Sequence, residues 1–509
     1  HSFYTLPDFE AWKNSNNAQG YKIKYYKGLG TSTASEAKEY FKHLEQNTIQ
    51  YTTDRDTDKS ITLAFKKELA DLRKKWIVKG IKDNETLLYD AANRNVTFNE
   101  FIHKDLIWFS IADLTRSIPS MVDGLKPSQR KVLFACRKRQ NTETKVSQLA
   151  GYASTESAYH HGEQSMMSTI IGLAQNFIGS NTYNLLEPIG QFGTRLMGGK
   201  DAASPRYIFT KLSQHGLNLF NKLDDSILDY LEDDGMKIEP KYYVPTLPLV
   251  LVNGAEGIGT GYSSSVPSYN PADIIQNIDL CINGKSMKDM QPWYPNFKGT
   301  IKSVDDTNKS FETRGVYKMI TTNKIEITEL PIGKWTNDYK EFLEGLCDTK
   351  IISFENHSSE TDVRFIVKME PGYLSKLHSS GELYTILKLK SKLNTTNMHL
   401  FDSMGNIKKY DTPQVIIQEF VKIRLDFYQK RKYFLITTAK DKLNVLDNKV
   451  KFVSMIVKDE LNIFKKKKDV ISKELTKLKF AKFDNSFDYL LNMKLYSLTD
   501  EYIKDLKKS

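Results

Sequence analysis

Residues 198–212 read GGKDAASPRYIFTKL, and within this stretch Arg206 directly precedes Tyr207. A free phenol is a poor nucleophile because its pKa is about 10. A neighbouring cation favours the phenolate, and it also stabilises the negative charge that develops when phosphorus is attacked. Tyr207 is therefore either an ordinary strand aromatic or a nucleophile with Arg206 as its electrostatic partner. The two residues alone do not decide between these interpretations.

A basic segment lies upstream of this stretch. Residues 116–139, RSIPSMVDGLKPSQRKVLFACRKR, combine a proline turn with an amphipathic helix. The cations of the segment are Arg116, Lys126, Arg130, Lys131, Arg137, Lys138 and Arg139. Cations beside the start of a helix are typical of a site that positions phosphates. A solvated basic face is the alternative.

Two adjacent histidines, His160 and His161, follow in SAYHHGEQS at residues 157–165. Neighbouring residues do not share one face of a helix, so the two imidazoles are poorly placed to bind one metal ion. The order H-H-G-E also differs from zinc-protease motifs. The pattern favours hydrogen bonding to a phosphate or to a nearby side chain, and a purely structural role stays open.

A glycine-rich segment, LPLVLVNGAEGIGTGYSS, occupies residues 247–264. It reads as an apolar strand that runs into alternating glycines. Its spacing is neither the G-x-G-x-x-G of a dinucleotide loop nor that of a P-loop, which needs a lysine after its glycines. The segment is either a tightly packed turn or a backbone that approaches a polyanion. Ile258 lies between two of the glycines, and an exposed isoleucine there suits an apolar wedge between base pairs.

The composition is that of a basic chain in a reducing compartment. The net charge is +11, from 73 basic and 62 acidic residues, which favours a polyanionic partner. The three cysteines, Cys136, Cys281 and Cys347, are far apart, which argues against a disulfide framework or a zinc module. No apolar run approaches the roughly 20 residues that a membrane span needs, so no membrane partner is expected.

The segment DRDTDK at residues 54–59 superficially suggests a site for Mg²⁺ or Ca²⁺. A calcium loop of the EF-hand type requires a glycine at its sixth position, and Lys59 stands there. A solvated linker is the favoured interpretation. Earlier in the chain, Ser32 or Thr33 followed by Glu36 predicts a capping box at the start of a helix.

The last part of the chain predicts one very long helix. No proline or glycine occurs after Pro413 until beyond Phe464, and Thr412 and Pro413 suit the start of a helix. Apolar residues then recur at nearly 3-4 spacing, which is typical of a coiled-coil seam: Leu443, Leu446, Val450, Val453, Val457, Leu461 and Phe464. Such a helix would be roughly 75 Å long and would need a partner helix.

Taken together and in this order, several stretches resemble eukaryotic-type DNA topoisomerase II, a type IIA topoisomerase. They are YYKGLGTSTASEAKEYF, VDGLKPSQRKVLFAC, AYHHGEQS, IIGLAQNFIGSN, PIGQFGTRLMGGKDAASPRYIFT, LVNGAEGIGTGYSS and ITELPIGKWTNDYKEFLE. The resemblance covers essentially the whole chain. It implies a multidomain α/β and α+β fold with these domains: the C-terminal part of a TOPRIM domain (1–50), a connector (51–100), a winged-helix DNA-cleavage domain with a helix-turn-helix (101–265), a tower domain with a β-sheet (266–375), and a long antiparallel coiled coil that leads to a dimer gate, its return helix truncated (376–509).

The resemblance also implies roles for individual residues. Tyr207 would attack a DNA phosphodiester and leave a 5′-phosphotyrosine with a free 3′-hydroxyl, and Arg206 would stabilise the transition state. Arg116, Lys126 and His161 would line the scissile phosphate, and Ile258 would intercalate and bend the duplex. With the basic segment and the histidines, the DNA-binding residues are predicted to be Ile258, Lys27, Lys66, Lys67, Arg130, Lys131, His160 and Lys334.

The implied function is that of an ATP-dependent type IIA topoisomerase, an isomerase that breaks both strands transiently and passes a duplex, for relaxation or decatenation. The partners are double-stranded DNA and a second copy of the chain. The ligands of Mg²⁺ are expected upstream of His1, so no metal site is predicted in this chain, and ATP would be used by a separate ATPase domain. The expected location is the nucleus, or a cytoplasmic viral factory and the virion. A non-catalytic DNA-bending scaffold is the alternative.

Overall fold

The computed structural model describes the chain except for residues 4–5, 17–19, 25, 27–28, 84, 86, 88–94, 140, 234, 306–307, 348, 484, 495–496, 498 and 509. The fold is mixed α/β and divides into two compact units. The first unit comprises residues 1–221 and 228–422, and the second comprises residues 222–227 and 423–509. In the described part of the chain, no helix combines the length and apolar character needed to cross a membrane.

The helices are α1 (Leu6–Ser15), α2 (Ala34–Lys42), α3 (Leu44–Asn47), α4 (Thr57–Phe65), α5 (Ala70–Asp83), α6 (Phe98–Phe101), α7 (Ile107–Ser117), α8 (Pro127–Lys138), α9 (Val146–Glu156), α10 (Glu163–Ala174), α11 (Gln214–Leu219), α12 (Leu249–Val252), α13 (Pro271–Ile282), α14 (Thr336–Glu344), α15 (Pro371–Ser380), α16 (Leu383–Ile386), α17 (Pro413–Val457), α18 (Lys468–Lys477), α19 (Asp488–Leu491) and α20 (Asp500–Lys508). A π-helical turn at Ile102–Leu106 connects α6 to α7.

The strands are β1 (Gln50–Thr52), β2 (Asn95–Thr97), β3 (Thr144–Lys145), β4 (Phe209–Thr210), β5 (Tyr230–Asp233), β6 (Met236–Pro240), β7 (Ala255–Gly259), β8 (Tyr262–Val266), β9 (Thr300–Ser303), β10 (Ser310–Arg314), β11 (Val316–Thr321), β12 (Lys324–Glu329), β13 (Ser353–Asn356), β14 (Phe365–Lys368), β15 (Lys390–Asn394), β16 (His399–Phe401) and β17 (Ile407–Lys409). β1 and β2 pair in parallel. The larger sheets have the orders β15-β10-β9 and β11-β12-β14-β13, and their strands pair antiparallel.

In the first unit, α8, α9 and α10 pack against one another. Val132, Val146 and Ile170, one from each helix, are fully buried there. Burial of such side chains contributes about 1.5–3 kcal/mol each. The three helices therefore form a rigid support for the loops that precede and follow them.

In the four-stranded sheet, the alternating stretches NKIEITEL (323–330) and DVRFIVKME (362–370), whose pattern predicts strands, contain β12 and β14. Ile325 and Ile327 of β12 and Phe365 and Val367 of β14 are fully buried, whereas the residues between them on each strand are less buried. The inward side chains belong to one hydrophobic cluster that includes residues of α14 and α15. The prediction of strands is thus confirmed, and the apolar residues of the period of two form the buried face.

Two predicted elements differ in the structure. The apolar run predicted as a strand forms the short helix α12 at Leu249–Val252, and all of its side chains are buried. An apolar run of this length does not distinguish a buried strand from a buried helix. The stretch ITLAFKKELADLRKKWI at residues 61–77 predicts one helix, but the structure has two there, α4 and α5. Arg73 of α5 donates to the carbonyl oxygens of Leu63 and Lys66 and so satisfies the end of α4.

In the second unit, α17 ends at Val457, seven residues before the predicted end at Phe464. Asp459 adopts a left-handed φ of 58°. The amide of Glu460 donates to the carbonyl of Met455 at 2.8 Å, and that of Asp459 donates to Ile456 at 3.1 Å. These are the bonds of a Schellman motif, which usually contains glycine. The prediction of an unbroken helix through Phe464 was therefore wrong.

The final stretch SFDYLLNMKLYSLTDEYIKDLKKS, residues 486–509, predicts one further helix, and the structure differs from this prediction as well. Two short helices, α19 and α20, lie in that range. Phe452 and Val453 of α17 are buried with Leu461, Leu475 and other residues in a compact hydrophobic cluster. By contrast, Leu443 is 58% exposed and Phe464 is 60% exposed. The apolar seam is thus buried within this unit at Val453 and Leu461 but not at its two ends.

Candidate active site

Tyr207 lies in a turn that leads into β4. Its side chain is 76% exposed, whereas the next residue, Ile208, is 2% exposed. Arg206 is exposed as well. β4 pairs with β3, so that Lys145 lies opposite Phe209. The turn therefore buries Ile208 as an anchor and leaves the phenol and the guanidinium accessible to a large substrate.

The start of α9 fixes the backbone of this turn. The amide of Val146 donates to the carbonyl of Ile208 at 3.0 Å, and the amide of Ser147 donates to that of Pro205 at 3.1 Å. The first amides of a helix have no partner within the helix and must be satisfied from outside. Here the carbonyl groups on both sides of Arg206 and Tyr207 supply that partner, which holds the two residues at the end of a rigid helix.

The loop that precedes the turn is closed by its own polar residues. Asp201 accepts hydrogen bonds from the amide and the hydroxyl of Thr194, and the amide of Ala203 donates to the carbonyl of Gln191 at 2.9 Å. Gly193 and Gly199 both have positive φ, and a Cβ at Gly193 would overlap the backbone of Gly199. Only glycine permits this approach, which explains the glycines of the GTRLMGGKD stretch.

The loop before α10 carries the two histidines, and both are exposed. Nε2 of His160 lies 3.5 Å from Oδ2 of Asp233. The ring of His161 makes an edge contact with Tyr159, with the ring centroids 5.3 Å apart. The structure thus gives His160 a weak acidic neighbour and places His161 against an aromatic ring, with its own ring still accessible.

Lys126 immediately precedes α8, whose first residue is Pro127. Burial lowers the pKa of the Lys126 ammonium, and the charge of Glu256 on β7 opposes that shift. A partly desolvated cation interacts more strongly with an anion than a cation in water does. Each candidate group lies beside the start of a helix: Lys126 at α8, the Tyr207 turn at α9, and the histidines at α10. The dipole of a helix favours negative charge at its start.

Arg116 occupies the last turn of α7 and is half exposed. Its Nη2 lies 2.8 Å from Oδ1 of Asp113, and its guanidinium lies 5.7 Å from the centroid of the Phe109 ring. The side chain is thus oriented by its own helix. Asp113 was not singled out in the sequence, although its place one turn before a candidate catalytic arginine was a signal for such an ion pair.

Ile258 projects from the hairpin of β7 and β8 and is 84% exposed. The flanking glycines face α7: a Cβ at Gly257 would overlap the carbonyl oxygen of Ser117, and one at Gly259 would come within 3.0 Å of Leu114. Side chains alternate along a strand, so Ile258 faces away from α7. The glycines thus explain both the close packing of the hairpin and the exposure of its isoleucine.

The chain matches known families along almost its whole length. Residues 116–509 match the family of the DNA gyrase/topoisomerase IV A subunit, and residues 1–114 match the "C-terminal associated domain of TOPRIM". The chain belongs to this topoisomerase family. The resemblance predicted from the sequence stretches is confirmed.

Relatives and a solved structure agree with this assignment. The chain is 45% identical to DNA topoisomerase 2 of Plasmodium falciparum, over 99% of this chain and 39% of that protein. It is 46% identical to DNA topoisomerase 2 of Arabidopsis thaliana (95% and 33%) and 43% identical to human DNA topoisomerase 2-beta (100% and 34%). The chain thus spans about two fifths or less of these relatives. A crystal structure of the Plasmodium falciparum topoisomerase II DNA-binding, cleavage and re-ligation domain superposes with a TM-score of 0.83 at 44% identity, covering 100% of this chain and 73% of that one.

Two residues predicted to bind DNA in this topoisomerase chain are engaged in buried ion pairs. Nε of Arg130 lies 2.7 Å from Oδ2 of Asp123, and both side chains are at least nine-tenths buried. Nζ of Lys131 lies 2.8 Å from Oε1 of Glu239. A buried charge needs such a partner. These pairs hold both cations against neighbouring elements, and the contacts of Arg130 and Lys131 with DNA stay predictions.

The remaining DNA-binding predictions fall on varied positions. Lys66 and Lys67 are exposed between α4 and α5, and Lys334 is half-buried just before α14. Lys27 lies outside the described residues. The roles of these lysines stay predictions.

The described residues do not fit a magnesium site. Among them, no group of three or more histidine, cysteine, aspartate or glutamate residues could hold a metal ion. In the DRDTDK segment, Asp54 accepts hydrogen bonds from the amide of Asp56 and the hydroxyl of Thr57, and Asp56 forms an ion pair with Lys59. These carboxylates organise the start of α4, so the segment begins a helix, whereas the sequence favoured a solvated linker.

Proposed function

We propose that this chain is the DNA-binding and cleavage core of a type IIA DNA topoisomerase. The observation that supports this function best is the accessible Tyr207 beside Arg206, on a turn fixed by the first amides of α9. The names of the relatives and of the matching crystal structure support the same conclusion.

The chemistry is a reversible exchange of phosphodiesters. Oη of Tyr207 attacks a DNA phosphorus, forms a tyrosyl–phosphate bond and breaks the bond from that phosphorus to the 3′ oxygen. The phenol loses its proton and the leaving 3′ oxygen gains one, so a 5′-phosphotyrosine and a 3′-hydroxyl result. Arg206 and Arg116 stabilise the charge on the phosphoryl oxygens. One phosphodiester replaces another of similar energy, so the 3′-hydroxyl can reverse the step without ATP.

A complete reaction on duplex DNA requires two copies of the chain. A C₂ homodimer places one Tyr207 on each strand, which yields a staggered double-strand break. In this proposal residues 101–265 form the winged-helix cleavage domain, residues 266–375 the tower domain, and residues 376–509 the coiled coil that leads to a dimer gate. The match to the topoisomerase family over residues 116–509 supports these assignments.

Strand passage, ATP use and location belong to the same proposal. The whole enzyme passes a duplex through the break and relaxes or decatenates DNA with ATP. We propose the nucleus as the location; a cytoplasmic viral factory is the alternative.

The test is the formation of a covalent protein–DNA adduct after rapid denaturation with detergent. In the complete protein, Tyr207→Phe should reduce adducts with supercoiled plasmid to background, because phenylalanine has no oxygen to form the phosphate ester. Tyr433→Phe is the matched control, since Tyr433 is 74% exposed and Tyr207 is 76% exposed. Adducts at the wild-type level in Tyr207→Phe would show that the nucleophile is another residue.

A DNA-bending scaffold without cleavage is the second candidate function. The 84% exposed Ile258 favours DNA bending in either case. The adduct assay distinguishes the two functions, because a scaffold bends the duplex and forms no adduct in the wild-type protein.

A further inference from the structure

The carboxylate of Asp113 contacts two parts of the proposed DNA site. One is Arg116, which is predicted to lie at the scissile phosphate, and the other is the hairpin that carries Ile258. Oδ1 of Asp113 accepts hydrogen bonds from Nη2 and Nε of Arg116, at 2.8 and 3.1 Å. Oδ2 accepts from the amide and the hydroxyl of Thr260, both at 3.0 Å. Thr260 lies in the turn between β7 and β8, two residues after Ile258. One side chain thus contacts two separate parts of the proposed DNA site.

The packing around Asp113 makes this connection stiff. The side chain of Asp113 is 20% exposed, so its hydrogen bonds are partly shielded from water. Gly257 and Gly259 lie directly on the last turn of α7, the turn that contains Arg116. A movement of the hairpin relative to α7 would therefore break the contacts of Thr260 with Asp113 while disturbing the backbone contacts of both glycines.

We propose that Asp113 is a positioning residue that couples DNA bending by Ile258 to the orientation of Arg116. This inference rests on the proposed function and extends it, because it links the wedge to the cleavage chemistry. When Ile258 enters the duplex, the force on the hairpin turn is transmitted through Oδ2 to a carboxylate whose other oxygen orients Arg116. Bending and the placement of a cation at the phosphate then occur together.

Asparagine at position 113 tests the coupling with minimal change of shape. An amide has one acceptor oxygen and a donor NH₂ group in place of the second oxygen. In either orientation, the NH₂ group faces a donor on one side, from Arg116 or from Thr260. On the other side the neutral amide oxygen is a weaker acceptor than a carboxylate oxygen, so Asp113→Asn weakens both sides of the bridge. Hydrogen bonds to charged groups are strong enough that we expect roughly a tenfold effect.

The first measurement is DNA bending, followed by energy transfer between dyes at the two ends of a bound duplex. In the complete protein, Asp113→Asn should shift the balance between bent and straight bound duplex about tenfold toward straight. Thr260→Val should lower bending less, because the backbone amide still donates to Asp113, and Thr260→Ser should restore it by returning the hydroxyl. The matched control is Asp71→Asn. Asp71 is exposed on α5 and forms an ion pair with Lys74, one turn further along the same helix.

The second measurement is cleavage of two DNAs, an intact duplex and one with a short single-stranded gap at the wedge position, which bends without help. Ile258→Ala should cleave the intact duplex poorly and the gapped duplex at nearly the wild-type rate. Asp113→Asn should stay about tenfold slow on the gapped duplex as well, because Arg116 has lost its orienting partner. The gap thus separates loss of the wedge, which it relieves, from loss of the partner of Arg116, which it does not relieve. A general structural defect of Asp113→Asn is excluded if Thr260→Ser restores bending that Thr260→Val lowers.

A double-mutant cycle completes the test. The bending defects of Asp113→Asn and Ile258→Ala should be non-additive, since both act through the same hairpin. Additive defects, or wild-type bending in Asp113→Asn and in Thr260→Val, would overturn the inference. If Asp113→Asn does not fold, the contrast between Thr260→Val and Thr260→Ser decides. If the wild-type protein forms no covalent adduct with DNA, the proposed function is contradicted. The bending measurements would then still decide whether Thr260 and Ile258 are coupled.

Discussion

Single residues decide the chemistry, and they divide into those that a sequence can reveal and those that it cannot. Tyr207, Arg206 and Ile258 are exposed, as their predicted contacts with DNA require. Arg130 looked equally suitable in a basic segment, but its guanidinium binds Asp123, which also accepts a hydrogen bond from the amide of Tyr243. Tyr243 is far along the chain, so only the folded structure identifies this buried network.

The buried ion pair of Arg130 predicts a large effect on stability. Arg130→Ala leaves the Asp123 carboxylate, which is fully buried, without its cation. Breaking such a pair typically costs about 3–5 kcal/mol. We therefore expect denaturant unfolding to show a loss of that size for the first unit. The control is Lys138→Ala, which breaks a partly exposed pair with Glu156 and should cost about 1 kcal/mol or less. An equal effect of the two variants would contradict the structural role of Arg130.

At the scale of elements, periodicity predicted much of the fold but not the ends of helices. The alternating strands β12 and β14 and the capping box of Thr33 and Glu36 are confirmed. The apolar run at residues 249–252 was too short to distinguish helix from strand. The end of α17 was missed because Asp459, not glycine, adopts the left-handed conformation there. The chain turns there and Leu461 is buried in the cluster with Phe452 and Val453, a contact that the local sequence does not specify.

The left-handed Asp459 predicts a simple stabilising substitution. Asp459→Gly removes the cost of a side chain at positive φ and a negative charge near the C-terminus of a helix. We expect the local free energy of opening, measured by hydrogen exchange of residues 450–461, to rise by about 0.5–1 kcal/mol. The control is Asp469→Gly in the first turn of α18, where an acidic residue is favourable, and it should have the opposite sign. A loss of protection in Asp459→Gly would contradict the Schellman motif.

At the scale of the whole molecule, charge determines how the protein meets DNA. A net charge of +11 favours binding to a polyanion, and each phosphate contact makes the affinity more dependent on salt. The resemblance to topoisomerases specified duplex DNA as that polyanion, whereas composition alone allowed solvated lysines as well. Only the positions of exposed lysines distinguish these two cases.

The lysines between α4 and α5 allow a test at this scale. If Lys66 and Lys67 contact phosphates, replacing both by alanine should reduce the slope of log affinity against log salt by about 2 for duplex DNA. The control replaces Lys473 and Lys477 by alanine; both are exposed on α18 in the second unit. This variant loses the same two positive charges as the variant at Lys66 and Lys67. An equal reduction of the slope in both variants would show that net charge alone, without specific phosphate contacts at Lys66 and Lys67, accounts for the binding.

The most direct test of the central claim is to identify the residue that becomes linked to DNA. The adduct formed by the complete protein is trapped with detergent, digested with nuclease and protease, and analysed by mass spectrometry. The account predicts a peptide containing Tyr207 that carries a nucleotide through its 5′ phosphate. A nucleotide on any other residue, or a linkage through a 3′ phosphate, would contradict it.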